Sequence, residues 1–180
     1  MNRVVDRGAI FAGWVGLGMA VVVAMGFELI VAVQSLVFLA ALPAGMLIGA
    51  YANSRSERLR PWKRVFANAV YAGLVTAVSL AILYGGIRLL FVYADSGYRD
   101  AGQGGPLACH AGPECTYLRY LADPVHGPEL VQAGVHDAAD FERFMLQGQL
   151  NGALAIVTLT LGGAVIGGAI HGLRGAPVRA

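Results

Sequence analysis

Long apolar runs constrain this chain more than any other feature of its sequence. Almost every residue from Ala9 to Tyr51 is apolar, and two more apolar runs follow later in the chain. An α-helix rises about 1.5 Å per residue, so roughly 20 apolar residues cross the hydrocarbon core of a bilayer. The sequence therefore predicts an all-α polytopic membrane protein, with four transmembrane helices in a bundle and one extracytoplasmic loop subdomain.

The predicted spans are residues 9–27, 34–52, 65–93 and 149–171 of a single membrane domain that covers the whole chain, 1–180. The first apolar run is too long for one spanning helix, so we expect a tight hairpin near residues 28–35. Residues 94–148 form the polar loop between the third and fourth spans. The first span is too long for the apolar part of a signal peptide and no small-residue cleavage site follows it.

Basic residues set the expected orientation. Residues 53–64, NSRSERLRPWKR, contain five basic side chains and one acid, and short basic loops beside spans remain cytoplasmic. In this arrangement nine basic residues and two acids lie inside, whereas four basic residues and nine acids lie outside. We expect a multi-pass protein of the bacterial inner membrane with cytoplasmic N- and C-termini. Because the basic residues flank apolar spans, no nucleic-acid partner is expected.

The only two cysteines, Cys109 and Cys115, both lie in the predicted outer loop. In an oxidising compartment such a pair favours a structural disulfide, which stabilises a small loop by about 2 kcal/mol. A redox-active pair is the alternative, although catalytic cysteines are usually closer together, as in C-x-x-C.

Four spans and a short chain make this layout resemble the bacterial quinone-linked enzymes that regenerate disulfides. That family needs a C-x-x-C pair in the first outer loop and a second pair in the other. The predicted hairpin at residues 28–35 contains no cysteine. The electron path is therefore missing, and the resemblance does not extend to the activity.

Three histidines of the loop, His110, His126 and His136, are weak candidates for metal ligands together with Glu114 and Asp137. Their spacing matches no compact ligand motif, so no metal site is predicted. The sequence also lacks a C-x-x-C-H haem motif and a phosphate-binding glycine motif after a strand. The sequence therefore does not indicate which cofactor, if any, the protein binds.

The loop contains two candidate helical segments. Asp137 can cap a helix with Asp140 at its third position, so the fourth helix is expected to begin outside the membrane and continue into it. A short helix is expected at about residues 115–121, with its tyrosines and leucines against the bilayer surface or the helix ends.

Small residues recur at four-residue spacing within the spans, a pattern that lets helices approach closely in lipid. They are Ala41, Gly45 and Gly49, the pair Gly163 and Gly167, and the pair Gly168 and Gly172. Packing within the bundle and docking onto another subunit are both open interpretations.

Charged and polar residues inside the spans are few. Glu28 and Arg88 are expected near the same outer boundary, where they either form an ion pair or extend separately to the headgroups. Two uncharged stripes, one of Asn68, Thr76 and Ser79 and one of Asn151 and Thr158, favour helix packing over a solute pathway. No ionisable group lies near the expected midplane.

These patterns favour a non-catalytic accessory, assembly or scaffolding subunit of a larger bacterial inner-membrane complex. Its expected partners are the lipid bilayer and other membrane subunits, or further copies of itself. One alternative is a small homo-oligomeric transporter or channel that uses the polar stripes. A second is an outer-face redox or metal-dependent enzyme that uses the cysteines and histidines.

Overall fold

The computed structural model describes residues 4–30, 35–56, 61–94 and 109–174, and every regular element in these ranges is helical. The elements are α1 (Arg7–Ala24), a π-helical turn that continues it (Met25–Ile30), α2 (Ser35–Ser54), α3 (Trp62–Tyr93), α4 (Pro113–Ala122), α5 (His126–Gln132) and α6 (Ala138–Arg174). Four of these helices are long and apolar enough to cross a membrane. The predicted all-helical class and the number of such helices are therefore confirmed.

The long helices include the predicted spans almost completely. The first covers Arg7–Ile30, and the fourth, α6, is longer than its predicted span because it starts at Ala138. Three predicted features lie partly or wholly outside the described residues. They are the hairpin, which falls on residues 31–34, the middle of the basic segment at 57–60, and the beginning of the polar loop at 95–108.

The chain divides into two compact units. Unit 1 comprises residues 1–84 and 153–180, and unit 2 comprises residues 85–152. Helices α1 and α2 belong to unit 1, α4 and α5 belong to unit 2, and α3 and α6 contribute to both.

In unit 1, glycines bring the backbones of α2 and α6 into direct contact. A Cβ atom on Gly45 would collide with the carbonyl oxygen of Thr160, and one on Gly49 with that of Ala164. The contact is reciprocal, because Gly163 and Gly167 on α6 face the carbonyl oxygens of Leu42 and Met46 on α2. Ala41, which is also on α2, is fully buried.

The remaining glycines of the predicted seams also contact helices of this chain. A Cβ on Gly168 would lie 2.6 Å from the Cβ of Ala69, and one on Gly172 would lie 2.9 Å from the Trp62 ring. The glycine seams are thus occupied inside unit 1, so they offer no free surface to another subunit.

Polar contacts join the helix ends at one end of unit 1. The side-chain amide of Asn68 donates to Asp6 (2.9 Å) and to Ser56 (3.3 Å), and its carbonyl oxygen accepts from the Asp6 backbone N–H (3.0 Å). Arg64 lies 3.7 Å from the Asp6 carboxylate. The starts of α1 and α3 and the end of α2 therefore lie together, as the antiparallel order of successive spans requires.

The polar residues of the α3 stripe serve packing in unit 1. Asn68 and Thr76 are fully buried, and the Thr76 hydroxyl donates to the Ala72 carbonyl while lying against Gly16 of α1. On α2, the Asn53 side chain donates to the carbonyls of Gly49 and Val65. These bonds fit the expectation that such residues hold helices together.

Candidate functional site

Helix α4 is fixed to its surroundings in unit 2 by a hydroxyl contact and a disulfide. The Thr116 hydroxyl lies 3.1 Å from the carbonyl oxygen of Val92, in the last turn of α3, and 2.9 Å from that of Gly112. Cys115, almost fully buried, is disulfide-bonded to Cys109, with the two Cα atoms 5.8 Å apart. Thr116 lies on one side of α4, and the side opposite to it is exposed.

An aromatic core fills unit 2. Phe141 of α6 is fully buried, and the rings of Tyr117 and Tyr120 from α4 lie 5.7 and 5.4 Å from it, between centroids. Leu130 and Val135 complete this cluster. The two tyrosines, which we expected on the bilayer surface or at the helix ends, therefore face the interior of unit 2.

Both ends of α5 have specific caps. The Asp123 carboxylate accepts from the backbone N–H groups of His126 and Val125, and these hydrogen bonds lower the pKa of Asp123. At the C-terminal end, Gly134 has φ +73°, and the Val135 N–H donates to Leu130, which is the Schellman arrangement. The position and orientation of α5 are thus determined by local chemistry.

The start of α6 agrees with the sequence. Asp137 accepts a hydrogen bond of 2.8 Å from the Asp140 N–H, so the predicted cap with Asp140 at the third position is confirmed. The hydroxyl of Tyr93, at the end of α3, is hydrogen-bonded to Glu142 of α6. These contacts link the last turn of α3 to the first turns of α6 within unit 2.

The free side of α4 is apolar. Leu118, Leu121 and Ala122 are exposed, at helix positions i, i+3 and i+4, and Glu114 precedes them by one turn on the same side. We call these four residues the outer face of α4. Leu118 is 53% exposed and Leu121 is 42% exposed, even though the core of unit 2 is already filled.

The outer face is one exposed apolar surface of unit 2, and such a surface can bind a partner. Large apolar side chains left in water are unfavourable, and clusters of them mark surfaces that contact a protein or a membrane. Glu114 has no hydrogen-bond or ion-pair partner among the described residues, so a carboxylate at one end of the face is free to bind a cation. The sequence predicts the two leucines on a short helix but does not place them on its exposed side.

The metal candidates are not brought together. His110 and His136 are exposed, whereas Nδ1 of His126 lies 3.1 Å from the Asp123 carboxylate and its ring packs on Tyr120. Among the described residues no three histidine, cysteine, aspartate or glutamate side chains are grouped as metal ligands.

Other predicted residues are divided between the units. Glu28 is buried in the π-helical turn of unit 1, whereas Arg88 belongs to unit 2, and their pairing remains a prediction. On α6, Asn151 and Thr158 are exposed, and the Thr158 hydroxyl donates to the Leu154 carbonyl. Ser79 on α3 is half-buried.

Comparison with protein-family models, with curated proteins and with solved structures found no match to this chain.

Proposed function

We propose that this chain is a non-catalytic accessory or scaffolding subunit of a larger bacterial inner-membrane complex, and that it docks through the outer face of α4. In this proposal its four long helices span the membrane, both termini are cytoplasmic, and residues 94–148 lie outside. The basic residues at the predicted inner ends of the spans and the acids of the loop support that orientation.

The exposure of Leu118 and Leu121 carries the proposal. Unit 2 already has a buried aromatic core around Phe141, and a disulfide together with helix caps fixes its helices. Its folding therefore gains nothing from two more leucines on the surface. Burying both in a partner would remove apolar area from water and contribute about 1 to 3 kcal/mol for each side chain.

Charge favours a protein partner over the bilayer surface. The exposed residues around α4 and α5 include Glu114 and Glu129, neither of which has a partner among the described residues. An acidic surface is repelled by a leaflet that contains anionic lipid. The outer face of α4 instead fits an apolar groove with a basic residue at one end, where that residue would pair with Glu114.

A photo-cross-linking amino acid at position 121 of the full-length chain, used in native membranes, tests the proposal. We expect one discrete adduct with a larger membrane protein, and no adduct when the cross-linker replaces Gln132, an exposed residue of α5. Glu114→Lys should reduce the adduct, since it places a positive charge opposite the basic residue of the partner. An adduct with lipid alone, or with a second copy of this chain, would contradict the proposal.

The homo-oligomeric transporter alternative depends mainly on the exposed Asn151 and Thr158, because Asn68 and Thr76 of the α3 stripe are buried and hydrogen-bonded inside unit 1. A ladder of adducts at multiples of the chain mass from the same experiment would favour that alternative.

A further inference from the structure

The guanidinium of Arg55, at the end of α2, is held in a fixed position on the surface of unit 1. Its Nε donates to the Tyr51 hydroxyl at 3.1 Å, and its central carbon lies 5.3 Å from the centroid of the Tyr51 ring and 5.9 Å from that of Phe11. Cation–π contacts of this kind orient the group and leave its two terminal nitrogens available as donors.

This cation has no carboxylate partner among the described residues, although other cations of the chain do. Arg64 lies 3.7 Å from Asp6, and Arg143 lies 3.5 Å from Asp140. Arg7, in the first turn of α1, is exposed and also has no acidic partner among the residues described.

Arg7 and Arg55 are close to each other in the fold. A Cβ atom on Gly8, the residue after Arg7, would lie 2.6 Å from the carbonyl oxygen of Arg55. Phe11 lies one turn after Arg7 on α1, beneath the Arg55 guanidinium. Two positive charges, neither with an acidic partner in the described part of the chain, therefore flank the exposed ring of Phe11.

An apolar notch continues along the same face of α1. Trp14 and Val22 are the most exposed side chains of this stretch, at 69% and 71%, and Gly18 lies midway between them. No heavy atom would lie within 4 Å of a Cβ at Gly18, so the notch is open. Gly18 lies roughly 16 Å along the helix from Arg7, a distance that an acyl chain can cover.

We propose that this face of α1 binds one anionic phospholipid. The lipid phosphate would accept hydrogen bonds from the guanidinium groups of Arg7 and Arg55, and an acyl chain would lie across Gly18 between Trp14 and Val22. Planar guanidinium groups suit a phosphate because they donate two parallel hydrogen bonds. A zwitterionic lipid offers the same phosphate but adds a positive headgroup, which the two arginines repel.

Native mass spectrometry of the full chain in detergent tests this site. Phosphatidylglycerol, phosphatidylcholine with the same acyl chains, and glycerol phosphate are added at equal concentrations. We expect retention of one phosphatidylglycerol molecule and little of the other two compounds. Arg55→Gln should weaken phosphatidylglycerol binding roughly tenfold, the loss expected for one hydrogen-bonded charge pair.

Arg174→Gln is the matched control, because it removes the same charge from an exposed position at the end of α6. Gly18→Leu fills the notch and should weaken lipid binding several-fold, whereas Gly162→Leu, at an equally open position of α6, should not. If Arg55→Gln fails to fold, Arg7→Gln replaces it, since Arg7 forms no hydrogen bond or ion pair with a described side chain. Equal retention of the two lipids, equal binding of glycerol phosphate, or an equal effect of Arg174→Gln would overturn the proposal.

Discussion

Unit 1 and unit 2 are both helical, but different kinds of contact hold them together. In unit 1 the buried apolar residues are mostly alanines, and at Gly49 and Gly167 the backbones of α2 and α6 touch. In unit 2 the core consists of large side chains around Phe141, and a disulfide and helix caps add to them.

The difference is the one expected if the helices of unit 1 pack in lipid and the core of unit 2 packs in water. In lipid, burying apolar side chains gains little, so helices associate through close packing of small residues. In water, burying a large aromatic side chain is strongly favourable, and a small module also benefits from a covalent cross-link. Unit 1 has the packing expected of helices in a bilayer, and unit 2 that of a small domain in water.

Replacing the central ring of unit 2 should give the largest effect. Phe141→Ala removes a fully buried side chain and is expected to cost about 3–5 kcal/mol. Phe144→Ala, at an exposed position three residues later, should cost less than about 1 kcal/mol. Hydrogen exchange of the backbone amides in residues 113–137 measures the loss of stability in each variant. Equal protection in the two variants would contradict the aromatic core.

Adding a single methyl group at the contact between α2 and α6 should destabilise unit 1. Gly167→Ala places a Cβ against the carbonyl oxygen of Met46, where neither backbone can move aside, and should cost about 1–3 kcal/mol. Gly162→Ala, at an open position on the same helix, should be neutral or stabilising by up to about 1 kcal/mol, since alanine favours helix. Thermal unfolding in detergent measures the difference, and the same sign for both changes would exclude the close contact.

Removing the disulfide should affect unit 2 alone. The double variant Cys109→Ser, Cys115→Ala is expected to lose about 2 kcal/mol of local stability, because the opened loop gains conformational entropy in the unfolded state. Hydrogen exchange should increase around α4 and remain unchanged in α1 and α2. A parallel increase in unit 1 would show that the two units do not unfold separately.

The smallest effect is a pH dependence of the α5 cap. Hydrogen bonds from the N–H groups of His126 and Val125 lower the pKa of Asp123, so its stabilising contribution is complete above the unfolded-state pKa. It is lost as the pH falls below roughly 4, through the lower folded-state pKa. Amide exchange at the start of α5 should follow this titration. Asp123→Asn should abolish it, and an unchanged profile in that variant would refute the assignment.

The sequence predicted the long helices well, because apolar runs of spanning length allow few other structures. It also predicted the cap at Asp137, where an aspartate precedes a helix by the usual spacing. Helix α5 was not predicted, since His126 to Gln132 has a proline and almost no apolar period. Its signals were an aspartate three residues before His126 and a glycine two residues after Gln132.

Spacing alone did not identify the helix that each glycine contacts. The repeat of Gly163 and Gly167 indicates a close approach, but its partner follows from the three-dimensional arrangement of the spans. The π-helical turn containing Glu28 was also missed. Where nearly every side chain is apolar, the sequence shows no helical periodicity. The change from an α-helical to a π-helical turn therefore alters no pattern that the sequence could reveal.

The proposed orientation places residues 94–148 outside the membrane and the basic segment at residues 53–64 inside it. Labelling with a membrane-impermeant maleimide in intact cells tests this directly. The native cysteines are bonded to each other, so single cysteines at two exposed positions, His136→Cys and Ser54→Cys, report on the two locations. We predict that only His136→Cys is labelled before permeabilisation and that both are labelled after it. Labelling of Ser54→Cys alone in intact cells would contradict the orientation.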